Sequence, residues 1–178
     1  MNSINQIQPE ENMQPLEGAE GVEKLKELAK KAETCFFCTA IKSGLPISAR
    51  PMSVQKVDDE GNFWFLTAKD SHTNQEINEE PLVQLLFRAS AHSGFLSVYG
   101  IAEISDEKAK IDELWEPIAK VWFTGGKDDP RISVVKVAPT QAYYWDNKHG
   151  NIIAFAKMVT GMVTGKTLDD SVEGKISV

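Results

Sequence analysis

Apolar residues at positions 22, 25, 28, 29 and 32 recur three or four apart, the spacing of one helix face, so Val22, Leu25, Leu28, Ala29 and Ala32 predict an amphipathic helix. After it the pattern changes period. Residues 34–67 hold three β-branched and aromatic runs, with Arg50 in the middle one, separated by Ser43-Gly44 and by Asp58-Asp59-Glu60-Gly61-Asn62. Gly and Asn tolerate positive φ and Asp favours turn initiation, so these read as three consecutive strands joined by tight turns. Connections this short predict antiparallel hairpins, because parallel neighbours need a crossover of about a dozen residues.

Farther on, residues 82–88 and 94–105 predict a fourth and a longer fifth strand, with 89–93 as the turn between them. Residues 106–120 read as a helix opened by acidic residues, with Ile111, Leu114, Trp115 and Ile118 on one stripe and Pro117 ending or kinking it. Residues 123–131 form a loop, 132–137 and 142–145 two further strands, and 151–162 a helix closed by Gly161 and Gly165. The polar residues 1–20 predict a flexible tail and 166–178 a loose end, leaving 21–165 as the folded domain.

Length and charge then narrow the class. A chain of 178 residues suits one domain with a sizeable core, so no disulfide framework is needed. No apolar run approaches the roughly 20 residues of a membrane span. The first 21 residues contain no Lys or Arg and no apolar stretch of the kind a leader carries, so a cytoplasmic protein is expected. A formal net charge of -7 argues against a general nucleic-acid surface, which needs clustered cations, while a single phosphate in a pocket needs only local positive charge.

Candidate chemistry is sparse. Cys35 and Cys38 form a C-x-x-C, but on a strand positions three apart face opposite sides, so the pair reads as two small buried residues rather than a redox or metal site. Thr73 and Glu76 fit a capping box, Thr73 as N-cap, for a short helix beginning near His72 to Asn74. Its free N–H groups, with Lys69, Ser71 and Thr73 nearby, make an anion site one reading and a hydrated helix end the other. Gly125-Gly126-Lys127 lacks the spacing of a phosphate loop, and Asp128 and Asp129 read as a plain turn rather than a cation site. His72, His92 and His149 are scattered, no metal site is expected, and no catalytic signature singles out a nucleophile, so any redox chemistry would rest on an organic cofactor.

The run from Gly44 through Arg50-Pro51-Met52, then residues 61–67 and Ser71 ahead of a helix, resembles the FMN-binding split barrel of pyridoxamine 5'-phosphate oxidase-related proteins, within it the bacterial general stress protein 26 branch. Gly100-Ile101-Ala102-Glu103, Trp115, the 125–130 loop and Tyr144-Trp145-Asp146 follow in the matching order, so the resemblance covers about residues 22 to 165. It implies a mainly β (α+β) fold, a six-stranded antiparallel Greek-key split β-barrel with flanking helices, and a homodimer with FMN at the subunit interface. By position, Arg50, Pro51, Met52, Ser53 and Val54 would line phosphate and ring, Leu66 and Thr67 would continue the ring site, and Ser71, His72 and Thr73 would meet the phosphate. Trp145 would approach from the other subunit. An ordinary arginine paired with a neighbouring Glu stays open as the other reading of Arg50.

Two departures qualify the likeness. Close relatives usually carry Lys or Arg one or two residues after the Ser71 position, where this chain has His72-Thr73, which implies a hold on phosphate that is weaker or depends on pH through His72. No Arg follows Trp145, so the Arg-x-His grip of true pyridoxamine phosphate oxidases is missing and that oxidation is not expected. The expectation is an FMN-dependent oxidoreductase-like stress protein exchanging electrons with NAD(P)H or another small molecule. The alternatives are a non-catalytic flavin-binding or flavin-sensing protein, or a barrel holding haem or a deazaflavin.

Overall fold

The computed structural model describes residues 12–42, 46–91, 93–148 and 170–178. The Ser43-Gly44 turn, the helix expected over 151–162, His92, His149 and residues 1–11 lie outside them. In chain order the described elements are β1 (Leu16–Glu17), α1 (Gly18–Ala32), β2 (Thr34–Thr39), β3 (Ser48–Ser53), β4 (Lys56–Val57), β5 (Phe63–Ala68) and α2 (His72–Glu79), followed by β6 (Leu82–Arg88), β7 (Phe95–Ser105), α3 (Lys108–Leu114), β8 (Ile132–Asn147) and β9 (Ser171–Ser177). They make a mainly β fold of the split-barrel class. One sheet runs β1-β9-β8-β7-β6-β2-β3, with β5 paired to the first part of β8 and β4 to β5. Every pairing between these strands is antiparallel except β1 with β9.

Six of these strands are long elements of the barrel itself (β2, β3, β5, β6, β7 and β8), and the count of six grows because two-residue strands and β9 join the sheet. The end expected to be loose is in part a strand: Val172, Gly174 and Ile176 are buried at period two, and β9 pairs with β8 over Ala142–Asn147. At the other end Met13 bridges to Glu173 and Leu16 pairs with Ile176, so the expected N-terminal tail is tied to the sheet from residue 13 onward.

Three further expectations change. The two strands at 132–137 and 142–145 are one 16-residue strand, β8, whose register against β7 shifts between Tyr99 and Gly100. Only glycine suits that point, since a Cβ on Gly100 would lie 2.5 Å from the Ala138 carbonyl oxygen. The helix over 106–120 breaks after Leu114: Trp115 and Glu116 are extended, as the residue before a proline prefers, and Pro117–Val121 continues as a 3-10 turn with Ile118 exposed. Last, the middle and third strands do not form a hairpin. β3 pairs with β2, whereas β5 pairs with the short β4 and with β8, which leaves β3 and β4–β5 as separate edges.

The core lies inside the curl. Phe37 and Phe65 meet edge to face at 5.1 Å, with Phe63, Val83, Leu85, Val98, Val135 and Val137 around them and Leu25 and Leu28 of α1 closing one end. Burying each such side chain contributes about 1.5–3 kcal/mol. A second cluster of Ile111, Leu114, Ala119, Phe123, Ile132 and Val134 sits under α3. Residues 132–135 are consecutively buried because these two clusters cover both faces of β8 there.

Candidate functional site

Where β3 and β5 part, a groove of about 1000 Å³ opens. One wall is residues 51–57 and the other 66–68, with α1 contributing Ala29 and Lys30 and the 3-10 turn contributing Ile118, Ala119 and Trp122. Pro51 explains part of the opening: it has no N–H to donate, so an edge strand is where it belongs. The Asp58 carboxylate closes the adjoining turn, accepting from the Glu60 and Asn62 backbone N–H groups and from Trp64 Nε1 at 2.8–3.0 Å. The groove walls mix apolar and polar groups, and among the described residues the lining contains no His and no Cys.

Six residues singled out from the sequence, Pro51, Met52, Ser53, Val54, Leu66 and Thr67, line this groove. Arg50, Ser71, His72 and Thr73 are not among its lining residues, and Ser71 reaches it through the hydroxyl of Thr67. The Arg50 Nη1 donates to Thr73 Oγ1 at 2.7 Å, and the Thr67 and Ser71 hydroxyls lie 3.1 Å apart. Ser71, rather than Thr73, caps α2, its Oγ accepting from the Asn74 N–H at 3.2 Å. The Thr73-x-x-Glu76 spacing therefore serves Arg50 instead of the cap: one helical turn apart, both side chains reach the guanidinium. His72 is exposed on the first turn of α2.

Arg50 does pair with a Glu, the other reading left open for it: Glu76, which the sequence offered only as a capping-box partner, with Thr39 and Ser48 as neighbours that the sequence did not point out. Arg50 Nη2 donates to Glu76 Oε2 at 2.5 Å and to Thr39 Oγ1 at 3.3 Å, while Thr39 and Ser48 donate to the two Glu76 oxygens at 2.5 and 2.8 Å. Burial works against the Glu76 charge, but hydrogen bonds from Thr39, Arg50 and Ser48 outweigh it and hold its carboxyl below the ordinary range. With three of its five N–H donors engaged, Arg50 keeps two for another acceptor.

Trp145 stands apart. It lies near the C-terminal end of β8, opposite Phe95 on β7, tilted against Tyr143 with ring centroids 4.6 Å apart and 42% exposed, whereas the first residues of β8 pair with β5 beside the groove. The row Pro51, Phe36, Leu86, Ser97 and Tyr143 runs directly across neighbouring strands on the outer face, from the groove's edge to Trp145's neighbour. Phe36 and Leu86 are 59% and 41% exposed, so this face carries apolar area without cover in the single chain.

Both thiols are buried on β2. Burial pushes Cys35 up to about 12, and burial also raises Cys38, outweighing the nearby Arg50 charge. Both are free. No helix among the described residues is long and apolar enough to cross a membrane.

Comparison with known proteins follows the same lines. The family model for pyridoxamine 5'-phosphate oxidase like proteins matches residues 20–169. Protein bli-3 of Neurospora crassa is 25% identical over 134 residues, 70% of this chain and 64% of that protein, so the chain spans less than two thirds of that relative's length. A structure assigned to general stress protein 26 from Jannaschia sp. CCS1 superposes with a TM-score of 0.74 at 22% identity, covering 90% of this chain and 99% of that one. The general stress FMN/FAD binding protein of Xanthomonas citri superposes with a TM-score of 0.57 at 27% identity, covering 67% and 86%.

Proposed function

The chain belongs to the pyridoxamine 5'-phosphate oxidase like family, and from that premise we propose that it binds FMN in the groove between β3 and β5, as an oxidoreductase-like protein of the general stress type. The observation that carries this reading is a groove with apolar wall residues whose Thr67 hydroxyl lies 3.1 Å from that of Ser71 at the start of α2, where Thr73 accepts from Arg50. A flavin needs that combination, a slot for a flat ring system and concentrated donors for a phosphate. Arg50, Ser71, His72 and Thr73 would hold the phosphate; Pro51, Met52, Ser53, Val54, Leu66 and Thr67 would line the ring. When bound, the flavin would supply electron transfer between a small donor such as NAD(P)H and an acceptor. This chain's residues contribute binding, orientation and exclusion of water.

Two copies complete the site in this reading. The uncovered outer row ending beside Trp145 supports it, because a second chain packed there would cover Phe36 and Leu86 and bring Trp145 toward its neighbour's groove. Oxidation of pyridoxamine phosphate is not proposed, since Asp146-Asn147-Lys148 directly after Trp145 offer no Arg for the substrate phosphate.

Among the described residues the groove lining holds no His or Cys, which supports a second reading, a flavin-binding protein that senses rather than catalyses. Anaerobic rapid mixing of the flavin-loaded protein with NADPH separates the two. Rapid bleaching of the flavin absorbance is expected for the oxidoreductase, and no reduction by any small physiological donor would leave the sensing role.

A further inference from the structure

Within the flavin site proposed above, on which this step rests, we propose that Glu76 determines which phosphoryl group is accepted, weakening the hold on a phosphate dianion relative to a singly charged phosphodiester or an uncharged tail. Three cations on β3, the end of β5 and the start of β8 already face carboxylates: Arg50 pairs with Glu76 at 2.5 Å, Lys69 with Asp106 at 3.0 Å and Arg131 with Asp129 at 2.7 Å. The first turn of α2 adds no Lys or Arg. Glu76 is also fixed in place, because Thr39 and Ser48 each donate to one of its oxygens. It cannot swing away cheaply when an anion arrives.

The side of Arg50 that Glu76 occupies is acidic. Glu79 at the end of α2 and Glu80 just after it line a neighbouring cavity of about 570 Å³ with Glu76, and Lys42, after β2, is the cation there, its backbone N–H bound to Glu80. From β2 the titratable neighbour of Arg50 is Cys38, and on α2 the exposed His72 precedes Thr73. An incoming dianion would share the guanidinium with a resident carboxylate, and like charges at one cation repel. A phosphomonoester carries about −1.5 to −2 charges at pH 7, with its second pKa near 6. FMN has such a group, the two phosphates of FAD carry one charge each, and riboflavin has none. The acidic setting of Arg50 thus grades the three flavins by charge.

The test uses the full chain freed of bound flavin and titrated with FMN, FAD and riboflavin by flavin fluorescence at pH 8 and pH 6. Glu76→Gln keeps the shape of the side chain and an oxygen for Arg50 while removing the charge. It is expected to tighten FMN at pH 8 by roughly tenfold, FAD by less, and riboflavin not at all. The unaltered chain is expected to bind FMN more tightly at pH 6 than at pH 8 relative to riboflavin, the reverse of an ordinary cationic phosphate site. His72→Gln, made in both backgrounds, separates that residue's own charge from that of Glu76. An unchanged or lowered ratio of FMN to riboflavin affinity in Glu76→Gln overturns the assignment and leaves the flavin reading intact. If that variant does not fold, the pH series decides alone, and FMN weakening toward pH 6 overturns the assignment. Binding of none of the three flavins overturns the flavin reading itself, and the role of Glu76 with it.

Discussion

Phe36 and Phe37 are neighbours in β2 and look out of opposite faces of the same sheet. Phe37 is fully buried against Phe65, whereas Phe36 is 59% exposed between Pro51 and Leu86. The inner face is finished by this chain alone: α1 and the strands leave Phe37, Phe63 and Phe65 no accessible surface. The outer face is not, and the uncovered row it carries runs from the groove to the neighbour of Trp145. The difference teaches which features belong to the fold and which await another surface.

Substitutions at these positions test that division. Phe37→Ala should cost about 3–5 kcal/mol of stability in urea unfolding, as truncation of a fully buried aromatic does. Phe36→Ala should stay within about 0.5 kcal/mol for the isolated chain, and equal costs at the two positions would erase the distinction. Arg50→Ala comes next: it removes the charged donor at the groove and leaves Glu76 without its cation, so FMN should bind about 10- to 100-fold more weakly by fluorescence titration.

Leu86→Lys should weaken self-association by roughly tenfold, read by sedimentation or light scattering across concentrations, while the unfolding midpoint of the single chain moves little. The smallest effect concerns acid. The folded carboxyl of Glu76 lies below its ordinary value of 4.5, so its contribution to stability is fully present above the unfolded-state value and is lost as pH falls through the folded one. Glu76→Gln should therefore flatten the loss of stability on acidification below about pH 4.5, followed by thermal unfolding. A variant that keeps the same acid sensitivity would show that Glu76 contributes none of it.

Much of the frame was legible in the sequence where the signal was local. Val22, Leu25, Leu28 and Ala29 mark the buried side of α1, and β6 occupies 82–88 as its apolar run predicts. The groove residues 51–54 and 66–67 followed from resemblance, and the structure brings them to one cavity. The opening itself was not legible, because β5 chooses β8 over β3, a pairing set by strands some 65 residues apart in the chain. Glu76 was hidden for another reason: Thr73-x-x-Glu76 imitates a capping box, and only the approach of Arg50 from β3 shows what the spacing serves. In β9 the small Gly174 masks the alternation, and it must be small, since a Cβ there would meet the Gln14 carbonyl oxygen at 2.2 Å.

Native mass spectrometry of the purified full chain, with its visible spectrum, bears most directly on the central proposal, a flavin groove completed by a second copy. The account predicts a dimer that carries or takes up one FMN per chain and loses it when Leu86→Lys drives the chains apart. A monomer holding FMN with undiminished affinity would contradict the shared site, and a colourless protein that ignores added FMN would contradict the groove.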